Sequence, residues 1–268
     1  MDKIKIALEK AREQRRLGQS IDTVSRGQAQ QDLKSIKYTQ TSSIDVDNNT
    51  MREHRLINAL EQSEYTDSIK LLRTQVLQRM EDNGWNVLAV TSASRGEGKT
   101  QTALNLGISI AMEVEYTVLV VDANLRHPSV HEYFGIKSAS GLSDYLKNNI
   151  ALPEILINPK NIEHFVIIPG GKPMHNSAEM LSSPKMGALV EELKNRYPKR
   201  IIIFDLPPLL GAADALAFAP CIDAALLVVE DGVTSENDLK TAVDMLSVTN
   251  IIGSVLNKSA LRKSSSSE

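Results

Sequence analysis

Residues Val87–Thr100 read VLAVTSASRGEGKT, an apolar run followed by a glycine-containing loop and then a lysine-threonine pair. This order matches a phosphate-binding P-loop, G-x-x-x-x-G-K-[ST], except that Ala93 occupies the position of the usual first glycine. Gly96 and Gly98 allow the backbone to curl so that successive N–H groups point inward, and a helix starting near Lys99 adds its positive end. The stretch predicts a strand, a P-loop and a helix rather than a turn with chance glycines.

The P-loop pattern predicts nucleotide contacts for a run of consecutive residues. Lys99 is expected to reach the β- and γ-phosphates, and the Thr100 hydroxyl is expected to hold Mg²⁺. Asn257 follows the last apolar run of the chain, where its amide either pairs with the edge of a purine base or forms a turn. The predicted cofactor-binding residues are Ser94, Arg95, Gly96, Glu97, Gly98, Lys99, Thr100, Gln101 and Asn257.

Length and composition fit one α/β domain with an extension. The chain has 268 residues, of which 42% are hydrophobic, and its net charge of −3 argues against nucleic-acid binding. Cys221 is the single cysteine, so no internal disulfide can form and a reducing compartment fits. No apolar run approaches the length of a membrane span, and the N-terminus lacks the apolar core of a signal peptide. We therefore expect a soluble cytoplasmic protein.

The chain divides into four predicted regions. Residues 1–17 carry six basic and three acidic side chains around an apolar helical face, which predicts a basic amphipathic helix. Such a helix either docks on a partner or an anionic membrane, or stays solvated until contact. Residues 18–55 are polar and predict a disordered linker, residues 56–260 a P-loop domain, and residues 261–268 a disordered tail.

Strand-like and helix-like patterns alternate through the P-loop domain. A first helix is predicted over residues 63–82, with Ser63 as its cap and Gly84 after its end. Short continuous apolar runs predict buried parallel strands at 87–91, 118–121, 165–168, 201–204, 225–229 and 251–256. Helical segments separate them at 99–112, 142–147, 183–196, 213–219 and 235–247. This alternation predicts an α/β fold with a doubly wound, mostly parallel sheet.

Two of the apolar runs end in an aspartate. In open α/β sheets, ligands bind at the carboxyl ends of the strands, so Asp122 and Asp205 are placed to organise Mg²⁺ and a nucleophile. Asp205 fits the Walker-B role of a metal ligand, while Asp122 either does the same or accepts a proton from the attacking hydroxyl. The alternative is that each aspartate only caps a turn. The predicted metal ligands are Thr100, Asp122 and Asp205.

Two histidines have spacing that is typical of zinc ligands. His127 and His131 lie four residues apart, but no glutamate follows the first and no third ligand is evident. We expect them to be surface histidines.

Three linked stretches resemble the bacterial tyrosine kinases, the P-loop autokinases of capsule and exopolysaccharide production. They are ASRGEGKT at 93–100 (Walker A), VLVVDANLR at 118–126 (Walker A′) and IIIFDLPP at 201–208 (Walker B). The resemblance covers roughly residues 60–258 and is nearest to the branch found with exosortase-type exopolysaccharide systems. It implies a P-loop NTPase fold of the MinD/ParA-like superfamily, ATP and Mg²⁺ as cofactors, and transfer of the γ-phosphoryl group to protein tyrosines.

The resemblance also implies site residues and partners. It gives catalytic roles to Lys99, Asp122 and Arg126. It implies a homo-oligomer, with Asp67, Lys70 and Arg73 at the positions of the family's Glu-x-x-Arg-x-x-Arg oligomerisation motif. It further implies activation by the cytoplasmic segment of a membrane polysaccharide co-polymerase, which would hold the protein at the inner face of the plasma membrane.

The chain departs from the family pattern at three places. Asn124 replaces the second aspartate of the A′ stretch, and its neutral amide can bind a metal but cannot act as a base. Lys70 cannot reproduce the bidentate contact of an arginine in the oligomerisation motif. The tail carries serines where many members have a tyrosine cluster, which makes Tyr38, in the predicted linker, the first candidate acceptor.

Three functions stay open at this point. The first is a protein-tyrosine autokinase that regulates exopolysaccharide or capsule chain length. The second is a regulatory P-loop ATPase of the same system without kinase activity, which Asn124 favours. The third is a MinD/ParA-like positioning ATPase; such proteins carry a signature lysine two residues before the first of the closely spaced glycines, where this chain has Ser94 followed by Arg95.

Overall fold

An eight-stranded sheet organises the described part of the chain, which in this computed structural model comprises residues 41–58, 63–113, 115–197 and 199–259. The strand order is β1-β4-β5-β3-β6-β2-β7-β8. The strands are β1 (Ser42–Ile44), β2 (Val87–Ser92), β3 (Thr117–Asp122), β4 (Ile157–Pro159), β5 (Phe165–Ile168), β6 (Arg200–Asp205), β7 (Ala224–Glu230) and β8 (Asn250–Asn257). Six strands are parallel, and β1 and β4 run the opposite way, because β4 pairs antiparallel with β5.

Helices connect the strands on both sides of the sheet. They are α1 (Asn48–Glu53), α2 (Glu64–Asn83), α3 (Lys99–Ala111), α4 (Leu142–Asn148), α5 (Leu152–Ile155), α6 (Ser177–Leu181), α7 (Pro184–Asn195), α8 (Asp214–Phe218) and α9 (Glu236–Met245). None of these helices combines the length and the apolar character that crossing a bilayer requires. The predicted helix over residues 1–17 and the tail over residues 261–268 lie outside the described residues.

The sheet is buried on both faces. On one face Val90 and Val120 pack in a cluster with Leu104 of α3 and Met80 of α2. On the other face Phe204 of β6 meets Phe218 of α8 edge to face, with ring centroids 4.7 Å apart. Burial on both faces explains why the strands are continuous apolar runs, and the predicted doubly wound α/β sheet is confirmed.

The ends of α2 follow from local chemistry. Ser63 is the N-cap and its hydroxyl accepts a hydrogen bond from the Thr66 N–H at 3.1 Å. Gly84 follows the last turn with φ of +67°, a left-handed conformation that glycine adopts without strain. Both features agree with the sequence-based prediction.

The predicted linker over residues 18–55 does not extend to residue 55. Residues 41–55 contain β1 and α1, and Val46 and Met51 are buried in the core. The polar composition of this segment predicts disorder, but β1 has only three residues and is ordered by pairing with β4, more than 100 positions away. Long-range pairing of this kind leaves little periodicity in the local sequence.

Asn105 fastens this N-terminal segment to the P-loop helix. Its side chain is fully buried in α3, and its Oδ1 accepts a hydrogen bond from the Ile57 N–H at 2.8 Å. Its Nδ2 donates to the Arg55 carbonyl at 3.0 Å and to the Tyr65 hydroxyl at 2.8 Å. One amide therefore satisfies two backbone groups of the segment that leads into α2.

Replacing Asn105 with alanine is expected to lower the free energy of unfolding by about 2–4 kcal/mol, because the buried Ile57 N–H loses its partner and the Arg55 carbonyl loses the shorter of its two side-chain contacts. Denaturant unfolding checks this value. Asn195→Ala is the matched control, since the Asn195 amide bonds to the Glu191 carbonyl on an exposed helix face. Equal midpoints for the two variants would contradict the role of Asn105.

Candidate active site

The carboxyl ends of three adjacent strands form the site. β6 lies between β2, which leads into the P-loop, and β3, which leads into the A′ stretch. Asp122 and Asp205 are register partners at the ends of β3 and β6, and both are fully buried. The sheet topology thus brings together the two aspartates that the sequence placed at strand ends.

The P-loop has the backbone geometry that its glycines predict. Gly96 and Gly98 have φ of +85° and +89°, and Gly98 is the N-cap of α3. A Cβ on Gly98 would also lie 2.0 Å from Asn257 Nδ2, so this position requires glycine for its conformation and for space. The loop therefore presents the start of α3 toward the strand ends.

Lys99 and Thr100 both bind Asp205. Lys99 Nζ lies 3.1 Å from Asp205 Oδ1, and the Thr100 hydroxyl donates to Asp205 Oδ2 at 2.6 Å. Lys99 Nζ also lies 3.2 Å from Thr100 Oγ1. One buried carboxylate thus gathers the P-loop lysine and threonine at a single point.

Asp122 is held by backbone donors on the far side of the site. Its Oδ2 accepts hydrogen bonds from the Ser129 and Val130 N–H groups at 2.8 and 2.9 Å, and its Oδ1 accepts from the Asn124 N–H at 3.2 Å. Burial and the neighbouring Asp205 charge raise the pKa of Asp122 to about 7, against the lowering effect of these hydrogen bonds and of Lys99. This carboxylate is therefore able to take up a proton near neutral pH.

The raised pKa of Asp122 predicts a pH-dependent stability. The folded protein holds a proton on Asp122 up to about pH 7, whereas the unfolded chain releases it near pH 3.8, so the group's stabilisation is full at low pH and is lost as the pH rises through about 7. The amide of an Asp122→Asn variant does not titrate. The unfolding free energy of the wild type minus that of Asp122→Asn is therefore expected to fall between about pH 5 and pH 7.5, by up to about 1.4 kcal/mol per unit. Urea titrations across this range measure the difference, and a flat curve would contradict the assignment.

A cavity of about 330 Å³ opens between the P-loop and the A′ stretch. Of the predicted site residues, six line it: Arg95, Gly96, Gly98, Lys99, Thr100 and Arg126. Asn124 lines it as well, and its Oδ1 is buried and accepts no hydrogen bond from the described residues. A bare carbonyl oxygen beside two carboxylates is a ready ligand for a hard cation.

Arg126 is fixed by a third buried aspartate, Asp214. Its Nε donates to Asp214 Oδ1 and Oδ2 at 3.3 and 3.0 Å, and Asp214 is fully buried and also accepts from the Ser177 hydroxyl. This arrangement leaves the two terminal nitrogens of the guanidinium without a hydrogen bond to Asp214. The guanidinium that lines the cavity is therefore held in place by a buried carboxylate.

Several residues that line the cavity were not predicted as site residues from the sequence, among them His127 and Tyr133. His127 was expected to be a surface histidine; it is exposed but lines the cavity mouth, with its Nε2 2.5 Å from Arg95 Nη2. Tyr133 is half-buried, lines the cavity and packs its ring against that of His54, at a centroid distance of 5.1 Å. No local motif marks Tyr133, because its place depends on α1 lying against the turn at Glu132–Phe134.

Four of the predicted nucleotide-contact residues do not line this cavity. The Glu97 side chain is buried and turned toward Thr234, and the Asn257 amide donates to the Glu97 carbonyl at 2.8 Å. Gln101 lies on the other side of α3, with its Nε2 3.4 Å from the Arg55 carbonyl. The Ser94 carbonyl accepts a hydrogen bond from the Ser92 hydroxyl, and its side chain is exposed. Asn257 and Thr234 therefore contact the P-loop at Glu97, and neither of them lines the cavity.

The three residues of the predicted oligomerisation motif do not share one free face. Asp67 and Lys70 are on the outer side of α2 and form an ion pair at 3.4 Å. Arg73 instead turns toward α3, where its Nη2 lies 2.6 Å from Glu113 Oε1 and its Nη1 donates to the Ser109 carbonyl at 3.1 Å. Arg73 therefore joins α2 to α3 within the chain.

The donor set fits Mg²⁺ only if a ligand completes it. No group of three or more His, Cys, Asp and Glu side chains in the described ranges is arranged to hold a metal alone. Asp122, Asp205, the Thr100 hydroxyl and the Asn124 carbonyl oxygen are hard oxygen donors. Mg²⁺ is commonly bound by one or two carboxylates together with phosphate oxygens and water, and this set matches that pattern.

Fold and site together define a P-loop NTPase. A parallel sheet, a left-handed glycine pair before a helix, and a strand-end aspartate that binds the P-loop lysine and threonine are its defining features. No protein-family model matches the chain. The family is therefore identified from the similarity of the chain to individual relatives.

The chain is 31% identical over 202 residues to tyrosine-protein kinase YwqD of Bacillus subtilis (strain 168), a match that covers 75% of this chain and 84% of YwqD. It is 35% identical over 193 residues to a putative tyrosine-protein kinase in the cps region of Klebsiella pneumoniae, covering 71% of this chain but only 26% of that protein. The chain therefore spans about a quarter of the length of the Klebsiella relative. This chain belongs to the bacterial tyrosine-protein kinase family.

Solved structures agree with this family. The VpsO kinase domain superimposes with a TM-score of 0.63 at 28% identity, covering 74% of this chain and all of that domain. The septum site-determining protein MinD of Pyrococcus horikoshii, solved with Mg-ADP, superimposes with a TM-score of 0.55 at 22% identity over 66% of this chain and 72% of MinD. The likeness to MinD concerns the fold alone.

Proposed function

We propose that this chain is an ATP-dependent protein-tyrosine kinase that phosphorylates its own tyrosines or those of neighbouring copies, in a system that makes exopolysaccharide or capsule. Family membership supports the reaction, and the names of the relatives support the system. The observation that carries the proposal is that Asp205 binds both Lys99 and Thr100. Asp205 is the register partner of Asp122, and Lys99 and Thr100 line the cavity.

The P-loop residues would bind the phosphates of ATP. The N–H groups around Gly96 and Gly98 supply the donors, and Lys99 supplies a cation that leaves its ion pair with Asp205 for the phosphate oxygens. Thr100, Asp122, Asn124 and Asp205 would hold Mg²⁺, which when bound neutralises charge on the phosphates. Arg126, fixed by Asp214, would add a second cation on the opposite wall.

Asp122 would receive the proton of the attacking tyrosine. The bond between the γ-phosphorus and the β–γ bridging oxygen breaks while a bond to the tyrosine oxygen forms, and the phenol proton passes to Asp122. The two backbone donors at Ser129 and Val130 keep the carboxylate in place during this step.

One observation favours a second function. Asn124 gives the metal site a neutral ligand where the family has a carboxylate, which lowers the charge available to hold Mg²⁺. In that case the chain would be a regulatory ATPase of the same system, which binds and hydrolyses ATP without phosphorylating tyrosine. A MinD/ParA-like positioning role is not favoured, because Ser94 and Arg95 replace the signature lysine.

The proposal also includes an activating partner and a homo-oligomer. The cytoplasmic segment of a membrane polysaccharide co-polymerase would activate the kinase and hold it at the inner face of the plasma membrane. A homo-oligomer would bring acceptor tyrosines to neighbouring sites, with Asp67 and Lys70 on its contact face. Placement in the exosortase-associated branch belongs to this proposal too.

A peptide assay separates the two functions. The purified chain is incubated with Mg-ATP and a tyrosine-containing peptide, and phosphotyrosine and free phosphate are quantified together. A kinase forms phosphotyrosine in proportion to ADP. Stoichiometric release of phosphate without phosphotyrosine, with and without the co-polymerase segment, would instead identify the regulatory ATPase.

A further inference from the structure

Glu97 has an unexpected position for a P-loop residue. It lies between the two left-handed glycines, yet its side chain is only 1% exposed and points away from the cavity. Its Oε1 accepts a hydrogen bond from the Thr234 hydroxyl at 2.7 Å. Thr234 is 137 positions further along the chain, in the connection between β7 and α9.

The direction of the Thr234 hydrogen bond is fixed. Thr234 Oγ1 already accepts the Glu230 N–H at the end of β7, at 2.9 Å, so its own hydrogen is directed to Glu97. Glu97 Oε2 is buried and has no partner among the described residues. A buried carboxyl group with one bare oxygen costs free energy, so a residue that merely filled space would be apolar.

A second contact reaches the same residue from the next strand. Asn257, at the end of β8, donates from Nδ2 to the Glu97 carbonyl at 2.8 Å, and its own carbonyl accepts the Asp231 N–H at 2.9 Å. Side chain and backbone of Glu97 are thus tied to the ends of two neighbouring strands. The glycines on either side supply the backbone freedom that these contacts restrain.

We propose that Glu97 is a positioning residue, which with Thr234 and Asn257 anchors the P-loop to the ends of β7 and β8 so that the loop is shaped before nucleotide binds. Without the anchor, the two glycine hinges would have to be ordered by the nucleotide itself, and affinity would fall. This inference rests on the proposed nucleotide site. It makes the segment 230–235, which does not line the cavity, a determinant of nucleotide affinity.

Thr234→Val tests the anchor, because valine keeps the shape and removes the hydroxyl. We expect the dissociation constant for Mg-ADP, measured by calorimetry, to rise about tenfold, and Thr234→Ser to restore it. Glu97→Met probes the same contact from the other side, because methionine keeps the length of the side chain and removes the acceptor oxygens. Because both changes break one contact, we expect the double variant Glu97→Met/Thr234→Val to bind no more weakly than the weaker of the two single variants.

Thr241→Val is the matched control, since its hydroxyl bonds only within α9, to the Asn237 carbonyl. Thermal melting without nucleotide accompanies each titration. A lower melting temperature with unchanged Mg-ADP affinity would show a merely structural threonine and overturn the inference, as would additive effects in the double variant. Failure of the wild type itself to bind Mg-ADP would overturn the proposed function instead, so the two are distinguishable.

Discussion

Lys99→Met is expected to abolish nucleotide-dependent activity, with the rate of phosphoryl transfer falling by about 10³-fold. The Lys99 ammonium is almost fully buried and lies 3.1 Å from Asp205 Oδ1, at the point where the P-loop meets the strand ends. Methionine preserves much of the length and apolar volume of the side chain but removes the positive charge. No other lysine in the described part of the chain lines the cavity.

The rate of phosphotyrosine formation and the rate of phosphate release are both measured for this variant. Lys240→Met is the control, because Lys240 is exposed and pairs only with Glu236 on α9. The control is expected to match the wild type within about twofold, since exposed ion pairs contribute little. Turnover by Lys99→Met within about tenfold of the wild type would contradict the placement of the γ-phosphate beside Lys99.

Asp122→Asn is expected to remove phosphoryl transfer to tyrosine, by about 10²- to 10⁴-fold, while changing Mg-ADP affinity far less. An asparagine can still accept the Ser129 and Val130 N–H groups with its amide oxygen, so these two backbone contacts are retained, whereas the contact of Asp122 Oδ1 with the Asn124 N–H is lost. It cannot accept the phenol proton. The loss in the rate of phosphoryl transfer should therefore greatly exceed the loss in Mg-ADP affinity, because the P-loop supplies most of the contacts to the nucleotide.

Transfer to a tyrosine peptide and calorimetric binding of Mg-ADP are compared for Asp122→Asn and for the control Asp244→Asn, an exposed aspartate of α9. The control is expected to behave as the wild type in both assays. Full transfer by Asp122→Asn would show that the proton acceptor lies elsewhere.

The P-loop and the strand-end aspartates could be predicted because their signals are local. A buried parallel strand is a continuous apolar run, and the residue that ends it lies at the ligand-binding edge of the sheet. Asp122 and Asp205 were found in this way, 83 positions apart, and the structure places them as register partners. The glycine positions followed equally directly from the conformations they adopt.

Contacts between remote segments could not be predicted from the sequence. The order of residues 41–55 depends on β4 and on the Asn105 side chain, and neither leaves a mark in the polar segment itself. Asp214 holds Arg126 across 88 positions, and no local pattern pairs the two residues. Glu97 was expected to face the nucleotide because it lies in the motif, and the structure turns its side chain toward Thr234.

The most direct test of the account is to map phosphorylated residues by mass spectrometry after incubation with Mg-ATP, with and without the cytoplasmic segment of the co-polymerase. We expect phosphotyrosine in the wild type and none in Lys99→Met. The mapped site identifies the acceptor, and Tyr38→Phe tests Tyr38. Phosphate release without phosphotyrosine under both conditions would contradict the kinase assignment. Asn124→Asp would then show whether a second carboxylate in the A′ stretch restores transfer.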